Sequence, residues 1–133
     1  MKLFQSSLLT APSAVFEVQF TSVQSKYVNL TWRPPKQPNG KIGYYVTYWI
    51  KHEARILYPR IQVPSGRLWC LVTDLKPSTV YTFSVTPYNL RKHLKGPSVN
   101  KSTSTLIDGR FPQGLVTYFL LYFPKPILEC FLD

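Results

Sequence analysis

Apolar residues recur at every second position along much of this chain, in short runs closed by proline, glycine or asparagine. A period of two predicts half-buried β-strands, whose side chains alternate between two faces. Residues 15–20 form the first predicted strand, with Phe16, Val18 and Phe20 on one face. Residues 27–33 form the second, where Val28, Leu30 and Trp32 point one way and Asn29 and Thr31 the other. Pro34 and Pro35 stop it, because proline cannot donate to a ladder. The turn sequence Pro38-Asn39-Gly40 leads into a third strand at residues 41–50. A short edge strand is predicted at residues 55–58, cut off by Pro59. The fifth covers residues 68–75 with Leu68, Cys70 and Val72 inward, and the sixth covers residues 79–88 with Tyr81, Phe83 and Val85 inward. The last runs over residues 99–105, after the turn at Gly96-Pro97. Seven short strands separated by turn signals predict an all-β chain, an immunoglobulin-like sandwich of antiparallel strands. No stretch between Ala11 and Leu106 has a helical period, and no internal repeat is visible.

The strand pattern divides the chain into a non-domain segment at residues 1–10, one domain at 11–107 and an atypical hydrophobic tail at 108–133. A chain of 133 residues accommodates one such domain but not two. At the start, Gln5-Ser6-Ser7 interrupts the apolar run that a secretory signal needs, so the expectation is a non-native or internal start. In the tail, residues 115–123 are nearly all apolar but too few to span a bilayer, which takes about 20 in a helix. The tail is expected to add little to the fold, the alternative being an extra strand packed back on the sandwich.

Within the predicted fifth-to-sixth connection stands Leu75-Lys76-Pro77-Ser78-Thr79-Val80-Tyr81. A tyrosine opening a late strand can fold back to hydrogen-bond the preceding turn, a tyrosine corner, with Pro77 stiffening that turn and Leu75 plugging the core beneath it. Together with Asn29-Leu30-Thr31-Trp32-Arg33-Pro34-Pro35, Pro38-Asn39-Gly40-Lys41-Ile42 and Tyr44-x-Val46-x-Tyr48, this order of pieces resembles a fibronectin type III module over Ala11 to Leu106. The resemblance implies that Tyr44, Val46 and Tyr48 face inward, and that Trp32, Tyr44, Val46, Leu75, Tyr81 and Phe83 share one core. It also implies that the loops after the second, fourth and sixth strands lie at one end. The chain departs from the family pattern twice: it has one residue fewer between Ile42 and Tyr44, which implies a missing bulge, and it carries Pro87 where a small residue is usual.

Composition narrows the function. The apolar share of 44% excludes a disordered chain. Sixteen Lys and Arg against six Asp and Glu give +10, so anionic partners must be considered. No zinc-knuckle spacing, RNP-type run or basic helix is present to make a specific nucleic-acid interface. With the loops arranged as the resemblance implies, Arg33, Lys36, Lys41, Arg67, Arg91, Lys92 and Lys95 form a basic loop pole, with His93 among them and no acidic residue in those segments. Trp49 and Trp69 fall on the outward phase of their strands, where exposed tryptophans serve contact surfaces. Asn29-Leu30-Thr31 and Asn100-Lys101-Ser102 match the N-glycosylation acceptor pattern, again on the outward phase, and favour a secretory route. Cys70 is expected to be a buried free thiol unpaired with Cys130 of the tail.

No nucleophile elbow, phosphate-cradling loop, metal-ligand spacing or paired carboxylates are present, so neither catalysis nor a cofactor or metal is expected. The chain also lacks Arg-Gly-Asp and a Trp-Ser-x-Trp-Ser box. The expectation is a non-catalytic interaction or spacer module of a larger receptor or adhesion protein, extracellular or at the cell surface, with a protein partner. The alternatives are a domain binding a sulfated polysaccharide through the basic pole and an intracellular scaffold module.

Overall fold

Alternation becomes two facing sheets in the computed structural model, which describes residues 10–53 and 58–108. The strands are β1 (Phe16–Val23), β2 (Val28–Arg33), β3 (Ile42–Ile50), β4 (Ile61–Val63), β5 (Trp69–Val72), β6 (Val80–Asn89) and β7 (Val99–Ser104). One sheet has the order β1-β2-β5 and the other β4-β3-β6-β7, and every pairing is antiparallel. The described residues form a seven-stranded β-sandwich. The connections β2–β3, β4–β5 and β6–β7 lie at one end; β1–β2, β3–β4 and β5–β6 lie at the other.

The core is made by alternate residues of both sheets. Val28, Leu30 and Trp32 of β2 and Cys70 and Val72 of β5 meet Tyr44 and Val46 of β3, Val63 of β4, and Tyr81, Phe83 and Val85 of β6, all buried. Leu75 is buried below them. The Trp32 and Tyr44 rings meet edge-on with centroids 5.2 Å apart. Burial pushes the Tyr44 phenol above its ordinary pKa, partly offset by the neighbouring Trp32 indole. Tyr48 is only half-buried and stacks on Tyr58 at 4.7 Å. Each fully buried side chain of this size stabilises the fold by about 1.5–3 kcal/mol relative to exposure.

At the β5–β6 turn the Tyr81 hydroxyl accepts the Lys76 N–H at 2.9 Å. Thr105 holds the rest of that turn: its hydroxyl donates to the Lys76 carbonyl at 2.6 Å and accepts the Thr79 N–H at 2.9 Å. Ser78, at φ 49°, makes the left-handed step between these anchors.

The fourth strand requires a correction. It occupies Ile61–Val63 rather than residues 55–58, of which 54–57 lie outside the described residues and Tyr58 is in no strand. Pairing decides its place: Ile61 and Val63 stand opposite Val46 and Tyr44, so the short Ile-Gln-Val alternation can bury both aliphatic side chains. The register around Ile42 is also unbroken, running through nine successive pairs from Ile42↔Asn89 to Ile50↔Tyr81. The irregularities fall in β1 instead, between Phe16 and Gln19 and between Phe20 and Ser22, with Glu17 at φ 51°.

Pro87 sits inside the central strand β6, a position that normally needs a donor. The Lys51 N–H bonds the Val80 carbonyl, which fixes the even-numbered β6 residues as the ones bonded to β3. The Pro87 nitrogen therefore faces the β7 side, where pairing has already ended at Val85↔Val99. The chain opposite is Gly96, whose N–H donates to the Pro87 carbonyl at 2.8 Å. A Cβ on Gly96 would stand 2.3 Å from the Pro12 carbonyl oxygen, so this crossing admits only glycine.

On the flank where β1 and β7 approach, the exposed Lys101 reaches across from β7 to β1. Its ammonium donates to the Val18 carbonyl at 2.9 Å and lies 5.6 Å over the Phe20 ring. The β1 bulge is what leaves that carbonyl to be reached. After β7 the chain returns to the far end, where the Leu106 N–H meets the Gln24 carbonyl and the Leu106 carbonyl accepts from Ser78. Asp108 lies 4.0 Å from Lys26. The expectations for residues 115–123 and for Cys130 fall outside the described residues.

Candidate interaction surface

The loop end is organised by Asn89, the last residue of β6. Its side-chain amide donates to the Asn39 carbonyl at 2.9 Å, tying the β2–β3 loop to the β6–β7 loop. Its side-chain oxygen accepts the N–H groups of Arg91 and Lys92, and its backbone carbonyl accepts that of His93. Asn39 in turn donates to the Ala11 carbonyl, so the segment before β1 joins the same assembly. This wiring presents Arg91 and Lys92 at a fixed turn, with Lys41 alongside through the Leu90 N–H bonded to its carbonyl. All three cationic side chains are exposed.

The sequence-predicted pole divides between the two sheets. Arg33, at the end of β2, pairs with Glu17, which stands on the neighbouring strand rather than in any of the three loops. Lys36 lies 5.4 Å over the Phe16 ring, and the Arg67 guanidinium lies 4.0 Å over the ring of Trp69. These three cations thus have local partners on the three-stranded side. Lys95 belongs to the other sheet, bridging Tyr88 and lying 5.5 Å over the Tyr45 ring.

Around Tyr45 the structure brings together residues that the sequence did not single out. Tyr45 and Tyr88 lie on the outer side of β3 and β6, Tyr45 partly exposed and Tyr88 buried beneath its neighbours, and they stack with centroids 4.2 Å apart and planes 15° from parallel. The Arg60 guanidinium caps Tyr45 at 4.0 Å, and Gln62 of β4 donates to the Tyr88 hydroxyl at 2.8 Å. Tyr88 lies flat across Gly43, its partner in the ladder; a Cβ there would come within 2.8 Å of the Tyr88 hydroxyl. Glycine at 43 is what lets the ring lie down and reach Tyr45. Each exposed cation–ring contact is worth about 0.5–1 kcal/mol. The signal in the sequence was Tyr45 lying between two inward residues, but its partners depend on cross-strand register.

The remaining candidates are scattered. Asn100 is exposed on edge strand β7, whereas Asn29 is half-buried in β2 and donates to the Thr21 hydroxyl at 2.8 Å. Trp69 is 46% exposed, and Trp49 is half-buried. Cys70 is a buried free thiol; burial pushes it up to about 11, with the Arg67 guanidinium pulling the other way. Among the described residues no three His, Cys, Asp or Glu side chains group as metal ligands.

The fold agrees with known proteins. A family model, the fibronectin type III domain, matches residues 11–103. The chain belongs to the fibronectin type III family. It is 33% identical to the protein sidekick homolog of Caenorhabditis briggsae over 84 residues, covering 62% of this chain and 4% of that protein. To the netrin receptor DCC of Rattus norvegicus it is 34% identical over 84 residues, 63% of this chain and 6% of that protein. The chain therefore spans only a small fraction of these relatives' length. The crystal structure of chicken CNTN1 FN1-FN3 domains superposes with a TM-score of 0.62 at 23% identity, covering 72% of this chain and 33% of that one. That likeness bears on the fold alone. Among the described residues no helix is long and apolar enough to cross a membrane.

Proposed function

We propose that this fibronectin type III domain is a non-catalytic protein-interaction or spacer module of a larger receptor or adhesion protein, working outside the cell. The observation that carries this reading is the family membership, joined to relatives such as a netrin receptor in which a stretch like this one is a small part. Its chemistry is recognition through loops and sheet faces. The acceptor sequences at Asn29 and Asn100 support a secretory route, and Asn100 is the more accessible of the two.

Glycan occupancy tests the compartment. Expressed behind a secretory signal in mammalian cells, the chain should be secreted and lose mass on treatment with an N-glycanase, and Asn100→Gln should remove most of that change. A chain that folds in the secretory pathway yet carries no glycan removes this support and favours the intracellular scaffold reading.

A second reading, a sulfated polysaccharide held at the basic pole, draws on Lys41, Arg91 and Lys92 side by side at the loop end. Arg33 is paired with Glu17, whereas Lys36 and Arg67 lie over rings on the three-stranded side and keep their charge. Retention on heparin that disappears at about physiological ionic strength would reduce it to nonspecific charge.

A further inference from the structure

The carboxylates of the described residues are Glu17, Glu53, Asp74 and Asp108. Glu53, Asp74 and Asp108 follow β3, β5 and β7 at the end away from the loop pole, and Glu17 is paired with Arg33 on the other sheet. The outward face of β4-β3-β6 near the loop end therefore has no described carboxylate. It carries Arg60 and Lys95 around the Tyr45–Tyr88 stack, with Lys41, Arg91 and Lys92 at its margin. Both central cations lie over a ring rather than beside an anion, so their charge is not neutralised.

We infer that this face, centred on Tyr45, docks an acidic segment of a protein partner. The inference rests on the reading of the domain as an interaction module and names the site and the kind of partner. Tyrosine and arginine dominate protein contact energies because they bury large, rigid surface and still make polar bonds. Here the Tyr88 ring is already ordered by Gly43, Gln62 and Tyr45, so docking would immobilise little that is free. Partner carboxylates would accept from Arg60 and Lys95 while an apolar neighbour covers the Tyr45 edge. A face with cations and no described carboxylate also speeds encounter with a negative partner and repels positive ones.

A protein segment fits better than a sulfated polysaccharide. A polyanion chain gains most from a long row of free cations, whereas the cations here flank a compact aromatic pair. The rest of the same face offers neutral hydroxyls, such as the Thr82–Ser102 and Thr86–Ser98 pairs.

The test is an amide-shift titration of the full chain, isotopically labelled, with an acetylated octapeptide of alternating glutamate and leucine at about 150 mM salt. The largest shifts should fall at Tyr45, Gln62, Tyr88 and Lys95. Because Arg60 and Lys95 are exposed, Arg60→Ala with Lys95→Ala should leave the fold intact and weaken binding by about tenfold or more. Lys36→Ala, on the other sheet, should not change it. Absence of binding, shifts centred on Trp69 or on the opposite end, or equal affinity in the double variant would each overturn the inference. So would a heparin octasaccharide that binds this face while the peptide does not. The glycan experiment is independent: its failure with successful peptide docking would displace the compartment and leave this site standing, and the reverse result would do the opposite.

Discussion

Removing a single oxygen at the tyrosine corner isolates one interaction of the fold. In Tyr81→Phe the ring keeps its place among Phe83, Tyr48 and the core, and only the acceptor for the Lys76 N–H is lost. Tyr81 is 1% exposed, so no water waits at the ring position, but Lys76 is an exposed residue and its N–H can turn toward solvent. The cost should therefore lie near 1 kcal/mol, the net worth of an ordinary hydrogen bond, rather than the full penalty of a buried orphan donor. Thr105 also limits the damage, because it holds the Lys76 carbonyl and the Thr79 N–H independently. Urea unfolding should show a lower midpoint with an unchanged m value. In a domain of this size that loss corresponds to about 4–8 °C in Tm. Hydrogen exchange gives a sharper reading: the Lys76 amide should exchange faster than in the parent, beyond what the global change explains. Thr105→Val combined with Tyr81→Phe should cost more than the sum of the two, since both side chains hold Lys76 in a turn that includes the left-handed Ser78. A Tyr81→Phe variant with parental stability and parental Lys76 exchange would refute the assignment of that bond.

Two further outcomes follow from the same geometry. Gly43→Ala should displace the Tyr88 ring from Tyr45 and cost about 1–3 kcal/mol, since the Tyr88 hydroxyl and ring carbons all line the close approach; thermal unfolding measures the loss, and a neutral result would mean the ring can slide aside. Cys70 titrates near 9 when unfolded and at about 11 when folded, so between these values the native state keeps a proton that the unfolded state has released. Its contribution to stability is full below pH 9 and declines as pH rises toward 11; Cys70→Ala, in a Cys130→Ser background, should flatten that part of the stability–pH curve, and an unchanged slope would contradict the burial of the thiol.

Strands were legible wherever one face had to be buried over several residues. Val28-x-Leu30-x-Trp32 and Tyr81-x-Phe83-x-Val85 carry their face in the sequence because a one-residue slip would expose the whole set. The fourth strand was not, because three residues give barely one full alternation and its place is set by β3, its only partner among the described residues. That error had a consequence for the surface: with β4 placed too early, Arg60 and Gln62 could not be put beside Tyr45. Local chemistry, such as the Leu75-to-Tyr81 turn, can be read from neighbours in sequence. The Glu17–Arg33 pair and the Tyr45–Tyr88 stack cannot, because each depends on register between separate strands. Charge counting therefore could not see the Glu17 partner of Arg33 or the placement of Arg60 over Tyr45.

Lys101 links β7 to β1. β1 and β7 both run from the loop end toward the opposite end, so tension on the chain enters at one end through β1 and leaves at the other through β7. Such a load slides the two flanking strands past one another and meets the ammonium–carbonyl bond broadside. Replacing Lys101 with methionine would keep an apolar side chain and delete the ammonium, with its bond to Val18 and its contact with Phe20, changing the force at which the sandwich yields more than the temperature at which it melts.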